Sequence, residues 1–313
     1  MPDHRLIDAF ISHKGRCTDK WEQYLSIYEG ELACLCSRTR PLRLLEIGVQ
    51  NGGSLELWHK FLPANSTIVG LDINRKINDL KFENDRIAAI TLDATDPNAV
   101  EEKLSDQIFD IIIDDGSHVS DDIIASFEIF FPKLAPGGKY FIEDLHCSYF
   151  ASHNGGLDNE HSSINYLKRL IDAVNYDHIS PAEVVDSLRL KLLRRYNRDI
   201  ARLTFYDSMC VIDKLETEKN FPYKRVRSGS IDAVQPYLDW IGQLNFSEVS
   251  QTYFNEAALQ KFNESMLKKI ELLERNEFEL REVTNRQDQI INHQIAIIQS
   301  LKSQLSNVAA PED

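Results

Sequence analysis

The stretch FDIIIDDGSH, Phe109 to His118, decides the fold. Three β-branched residues, Ile111 to Ile113, stand between Asp110 and the pair Asp114 and Asp115. A short, unbroken apolar run of this kind predicts a strand buried on both faces. Such strands belong to parallel sheets flanked by helices, where ligands bind beyond the carboxyl ends of the strands. Asp114, Asp115, Gly116, Ser117 and His118 fall at one of these ends. The next strand, Lys139 to Ile142, runs into Glu143, Asp144 and His146. Neighbouring strands would therefore gather several acids and a histidine at one edge.

Upstream, Pro41 marks a boundary, and Leu42 to Ile47 reads as the first strand. It enters Gly48-Val49-Gln50-Asn51-Gly52-Gly53-Ser54, then a helix from Ser54 to Phe61. Strand, glycine-rich turn and helix form the nucleotide-cofactor pattern, because glycines admit close backbone approach and a helix N-terminus offers free N–H groups. The turn is not G-x-G-x-x-G. Glu46 at the strand end suits a cofactor with a cationic group better than a dinucleotide pyrophosphate. A second strand, Thr67 to Leu71, ends in Asp72. An acid in that position hydrogen-bonds a ribose in the nucleotide-binding folds; otherwise it is a solvated strand-end aspartate. The third strand, Ile87 to Leu92, ends in Asp93, which accepts from an adenine amino group or caps the turn before Pro97. A helix over Asn98–Leu104 leads to Phe109.

Downstream, a helix is expected over Asp121–Leu134, then a Pro136-Gly137-Gly138 turn into the fifth strand. Five βα units predict a doubly wound, Rossmann-like α/β sheet. Residues 145–200 break the rhythm with a polar, glycine-bearing loop and helices over Asn165–Tyr176 and Pro181–Tyr196. The second helix carries Arg189, Lys191, Arg194 and Arg195, followed by Arg198: a solvated face, or a grip on an anionic substrate. Ala201 to Lys214 reads as an antiparallel hairpin turning at Tyr206-Asp207-Ser208.

Before the first strand, Trp21, Tyr24, Leu25, Tyr28 and Leu32 form one helical face covering a sheet edge, with Thr18 or Asp19 as its cap. The domain organisation expected is an N-terminal helical cap or lid (1–40), a catalytic domain (41–216, with 145–200 inserted on the substrate side), a connector (217–255, with Trp240 and Phe246 packed on the core) and a coiled coil (256–308). The last follows from positions at alternating steps of four and three: Met266, Ile270, Leu273, Glu277, Leu280, Thr284, Gln287, Ile291, Gln294, Ile298, Leu301 and Leu305. Eight of these twelve are apolar, and no glycine or proline lies between Asn255 and Ala310. The heptad pattern predicts self-association, with polar seam residues setting register.

The formal net charge of -14 argues against a generic nucleic-acid or anionic-membrane surface. Five cysteines, an odd number without zinc spacing, read as reduced thiols of a cytoplasmic protein. The N-terminus has no signal-peptide pattern, and no apolar stretch approaches the ~18 residues of a membrane span.

Asp115, Glu143 and Asp144 on adjacent strand ends would repel unless their pKa values rise or a cation binds. Oxygen ligands favour Mg²⁺, Ca²⁺ or Mn²⁺, and a metal with open positions activates a substrate hydroxyl. His118 is placed as a general base. Helix-capping acids and a surface histidine are the plainer alternative. His146 fits a structural role better.

These pieces resemble the class I S-adenosylmethionine-dependent methyltransferases, and more narrowly the metal-dependent sugar O-methyltransferases of macrolide biosynthesis. The matching residues are Thr18-Asp19-Lys20 with Tyr24 and Tyr28-Glu29; LLEIGV at 44–49 with Gly53-Ser54-Leu55 and Trp58; GLDI at 70–73; IDDGSH at 113–118; PGG at 136–138; EDLH at 143–146 with Ser148-Tyr149; and FYDS at 205–208. The resemblance implies S-adenosylmethionine across Glu46, Gly48, Ser54, Asp72, Asp93 and Asp114, with the segment from Thr18 to Tyr24 closing over it. It implies Mg²⁺ on Asp115, Glu143 and Asp144, and His118 as the base that takes a sugar hydroxyl proton. Residues 145–200 and the coiled coil depart from the family pattern. Similar domains decorate cell-surface glycans, so the implied acceptor is a sugar of a glycan or glycosylated metabolite. Two rivals are a non-catalytic scaffold recruiting partners through the coiled coil and a nicotinamide oxidoreductase. The missing G-x-G-x-x-G speaks against the latter.

Overall fold

In the computed structural model of the chain, which describes residues 6–38, 40–179 and 187–219 and two short strands beyond them, Phe109–Asp114 is the central strand of a seven-stranded sheet. The strands are β1 (Arg43–Ile47), β2 (Thr67–Asp72), β3 (Ile87–Thr91), β4 (Phe109–Asp114), β5 (Leu134–Ile142), β6 (Ile200–Tyr206) and β7 (Met209–Lys214), in the order β3-β2-β1-β4-β5-β7-β6. The first five are parallel, and the β6–β7 hairpin adds antiparallel to β5. The strand order reverses between β1 and β4, the switch point where such sheets bind ligands.

Alternate residues of each strand face opposite sides, so two cores form. Leu44, Ile68, Ile111, Ile113, Phe141 and Val211 pack under α1 (Leu6–Ile11), α2 (Glu22–Cys36) and α3 (Gly53–Phe61). Leu45, Leu71, Ile112, Tyr140, Ile142 and Ile212 pack under α4 (Pro97–Leu104), α5 (Ser120–Phe130), α6 (Ser163–Val174) and α7 (Ser187–Tyr196). Every residue of β4 is buried, as a strand with helices on both faces requires.

Several local expectations are corrected. The α2 helix crosses a sheet face rather than an edge: Tyr28 packs on Phe141, ring centroids 4.6 Å apart, and meets Trp58 edge-on at 4.8 Å. Its N-cap is Trp21, more than half exposed, rather than Thr18 or Asp19, and no side chain caps it. The α5 helix stops at Phe130, because Pro132 denies the backbone a donor; a 3₁₀ turn over Phe131–Lys133 follows. Strand β5 begins at Leu134 rather than Lys139. The Pro136-Gly137-Gly138 segment is taken up as a register shift within the β4–β5 ladder. The helices α6 and α7 of the 145–200 insertion bury Leu167, Leu170, Leu193 and Tyr196 in the second core. The arginines of α7 pair locally: Arg189 with Asp172, Arg195 with Glu128.

The chain separates into two units, 1–221 and 222–313. Where a connector was expected, the second unit contains parallel strands β8 (Arg225–Arg227) and β9 (Gln243–Asn245). Trp240, Phe246 and the expected coiled coil at 256–308 lie outside the described residues. Among the described residues no helix is long and apolar enough to cross a membrane.

Candidate active site

Strand register assembles the site. Ile47 pairs with Asp114, and Asp114 with Ile142. The next residues on each strand therefore emerge together: Gly48, Asp115 and Glu143. Asp115 N–H donates to the Ile47 carbonyl at 2.9 Å, and Glu143 N–H to the Asp114 carbonyl at 2.9 Å. Gly48 has φ 96°, and a Cβ there would stand 2.0 Å from the Asp115 carbonyl oxygen. Only glycine admits this approach of the β1 and β4 ends.

A cleft of about 280 Å³ opens over this junction, lined by residues that include Gly48, Asp72, Asp93, Asp114, Asp115 and Ser126. Asp72 Oδ2 accepts from the Val49 and Gln50 amides, both at 3.0 Å, and Oδ1 from the Asn74 amide at 2.8 Å. This acid thus fastens the turn after β1 to the end of β2 while facing the cleft. Asp93 accepts from the amide and hydroxyl of Thr95, at 2.9 and 2.7 Å. Asp114 is buried and accepts from Ser126 Oγ; burial pushes its carboxyl up to about 7. Thr18, Tyr24, Glu46 and Ser54, also expected at the cofactor, do not line this cleft. Ser54 Oγ donates to Glu46 Oε2 at 2.7 Å, below the turn.

On the far side of Asp115 lies the acid cluster. Asp115, His118 and Asp144 each bring one ligand atom within 4.8 Å of the others. His118 Nε2 is 3.9 Å from Asp115 Oδ1 and 3.6 Å from Asp144 Oδ2. His118 and Asp144 both have left-handed backbone, φ 56° and 54°. Such strain, about 1–3 kcal/mol per residue, gathers where side chains must be aimed. Glu143 is directed elsewhere. It is buried, accepts from Tyr28 Oη at 2.6 Å, and lies 2.7 Å from Lys20 Nζ. His146 Nδ1 is 2.6 Å from Ser208 Oγ and its ring meets Trp21 edge-on.

Lys20 belongs to the matching Thr18-Asp19-Lys20 segment, but sequence reasoning gave it no role. Its side chain, 4% exposed, reaches Asp115 Oδ2 at 2.5 Å, Glu143 at 2.7 Å and Glu46 Oε1 at 3.4 Å. Burial lowers the affinity of its amine for a proton, but Glu143, Glu46 and Asp115 together outweigh this and hold it well above the ordinary lysine value. Burial pushes Glu143 up to about 8 against the pull of Lys20. Glu46 is raised for the same reason. The segment bearing Lys20 is pinned over α3: Arg16 pairs with Glu56 at 2.8 Å and donates to the Lys81 carbonyl at 2.7 Å. A Cβ on Gly53 would lie 2.3 Å from the Arg16 carbonyl oxygen. Tyr24, four residues after Lys20, donates from Oη to Asp144 Oδ1 at 2.8 Å.

Carboxylate oxygens at strand ends, partly open to solvent and with the His118 imidazole beside them, suit a hard divalent cation. The ammonium of Lys20, lodged against Asp115 of this set and the neighbouring Glu143, shows that this edge of the site accepts positive charge.

The chain is 30% identical over 230 residues to an 8-demethyl-8-alpha-L-rhamnosyl tetracenomycin-C 2'-O-methyltransferase of Streptomyces olivaceus, covering 68% of this chain and 56% of that one. It is 36% identical over 154 residues to a mycinamicin VI 2''-O-methyltransferase of Micromonospora griseorubida, covering 45% and 37%. The MycE methyltransferase of the mycinamycin biosynthetic pathway, solved with Mg, SAH and mycinamycin VI, superposes with a TM-score of 0.57 at 27% identity, covering 68% of this chain and 54% of that one. The chain is a homologue of the macrolide-type sugar O-methyltransferases, with the class I methyltransferase fold. No family model matches it. The homologue spans only part of these relatives, between 37% and 56% of the length of the two named here.

Proposed function

We propose that the protein transfers a methyl group from S-adenosylmethionine to a sugar hydroxyl, with a divalent cation, Mg²⁺, at the acid cluster. The observation carrying this reading is the junction of Gly48, Asp115 and Glu143, where a cofactor cleft meets Asp115, His118 and Asp144. Asp115, Asp144 and, after reorientation, Glu143 would hold the cation, which supplies charge that favours the alkoxide of a bound hydroxyl. S-adenosylmethionine supplies an electrophilic methyl group. Asp72, Asp93 and Asp114 face the cleft as acceptors for the cofactor's ribose and adenine, and Asp72 also fixes the turn it would rest on. Glu46 and Ser54 support the turn from beneath, and Thr18 with Tyr24 belongs to the closing N-terminal segment. His118 Nε2, between two carboxylates, receives the hydroxyl proton, and the imidazolium so formed is stabilised by those acids.

The acceptor is a glycan or glycosylated metabolite, in keeping with the rhamnosyl and mycinamicin acceptors named in the relatives. The heptads of 256–308 self-associate, and five free cysteines suit a cytoplasmic setting. Calorimetric titration of the full chain with S-adenosylhomocysteine, followed by labelled methyl transfer onto simple glycosides, tests the reading. Saturable one-to-one binding and label on a sugar oxygen are expected. A folded sample that binds no S-adenosylhomocysteine, with or without Mg²⁺, overturns it.

A further inference from the structure

We infer that Lys20 is a built-in counter-ion that competes with the divalent cation for the acid cluster. This rests on the proposal that the cluster takes such a cation. Lys20 Nζ holds Asp115 Oδ2 at 2.5 Å and Glu143 Oε1 at 2.7 Å, so one oxygen of each of two expected ligands is already bound to a positive charge. Glu143 is 2% exposed and Glu46 fully buried. Buried carboxylates left without a cation are strongly destabilising, so the ammonium fills a need that a metal ion would also fill. Two cations within a few ångströms in a poorly solvated pocket repel. Occupancy by one therefore weakens the other.

The way the three N-terminal groups are mounted shows which can yield. Tyr24 and Tyr28, which hold Asp144 and Glu143, sit on α2 with their rings fully buried. Lys20 lies outside any helix or strand, on the stretch between the Arg16 anchor and Trp21. It can withdraw without breaking a helix. In exchange Glu143 is released toward Asp115 and Asp144, completing the oxygen set, while the Tyr28 hydroxyl keeps its hold. The acid cluster is thus kept folded and partly compensated in the absence of metal, at the cost of a weaker cation site.

The test is Mg²⁺ titration by calorimetry of the full chain, comparing the parent with Lys20→Met and Lys20→Arg, each confirmed folded by circular dichroism. Lys20→Met is expected to bind Mg²⁺ at least tenfold more tightly, and Lys20→Arg no more tightly than the parent. Equal or weaker binding by folded Lys20→Met, or no Mg²⁺ binding by either protein, overturns the inference. Should Lys20→Met fail to fold, amine labelling of the parent read by mass spectrometry decides: Lys20 is expected to be protected without Mg²⁺ and to label faster at saturating Mg²⁺, and labelling that Mg²⁺ does not change overturns it. S-adenosylhomocysteine binding without any Mg²⁺ response would sink this inference and leave the methyltransferase reading standing.

Discussion

His118 shows what a single residue contributes. Its left-handed backbone turns the ring back over the end of β4, so that Nε2 lies between Asp115 and Asp144. If it is the base, His118→Ala lowers kcat by about 10²–10⁴ while the affinity for S-adenosylhomocysteine is unchanged; labelled-methyl turnover and calorimetry measure the two. Tyr28 contributes differently. Its hydroxyl donates to a buried carboxylate, so Tyr28→Phe leaves Glu143 short of a donor. A loss of about 1–3 kcal/mol is expected in urea unfolding. Both acids and His118 were legible because they follow directly on strands that read as strands. Lys20 was not. A lysine in a polar loop reads as solvated, and its partner Asp115 is 95 positions away.

At the scale of elements, apolar period found α2, short apolar runs found the five parallel strands, and the glycine turn after β1 found α3, because buried faces and tight turns impose these patterns. Ends were less legible. Nothing local says that Pro136-Gly137-Gly138 joins β5 as an irregularity, since that depends on the register of β4 beside it. The same holds for the crossing of the N-terminal segment over α3. There Gly53 is required by space: an added Cβ meets the Arg16 and Cys17 carbonyl oxygens at 2.3 and 2.5 Å. Gly53→Ala is expected to lift that segment, seen as faster limited proteolysis between Gly15 and Trp21, with the sheet intact by circular dichroism. An unchanged cleavage rate would show that the contacts of Arg16 and Lys20 hold the segment without the close approach at Gly53.

Over the whole first unit, α2 is tied across the antiparallel addition by charge. Glu31 bonds Lys139 of β5 at 2.7 Å and Tyr206 of β6 at 2.6 Å, with Arg202 at 3.3 Å. Burial raises its carboxyl, but the bonds from Lys139 and Tyr206 and the nearby positive charges prevail and hold it below the ordinary value of 4.5. A group depressed in this way adds stability above its unfolded pKa and loses it as the pH falls through the folded value. Unfolding midpoints of the parent are therefore expected to drop below pH 4.5, and Glu31→Gln to show a shallower fall over the same range while being less stable at neutral pH. The second unit carries a separate expectation. Removing residues after Asn255 should convert an oligomer to a monomer in light scattering, because the heptads are the feature that calls for a partner.

What the sequence by itself determined is the set of things that neighbours in the chain dictate. The apolar run of β4, the glycine turn after β1 and the acids closing β1, β2, β4 and β5 were all readable, because backbone period and strand-end placement are local consequences of residue type. The motif resemblance added the chemistry those ends serve. Only the tertiary structure decided which oxygen meets which partner. Strand register set Gly48 against Asp115, and the path of the N-terminal segment brought Lys20 to Glu46, Asp115 and Glu143. These contacts join residues 26, 95 and 123 positions apart. They exist because the N-terminal segment is anchored across α3 by Arg16 and the close approach at Gly53, which no local pattern encodes.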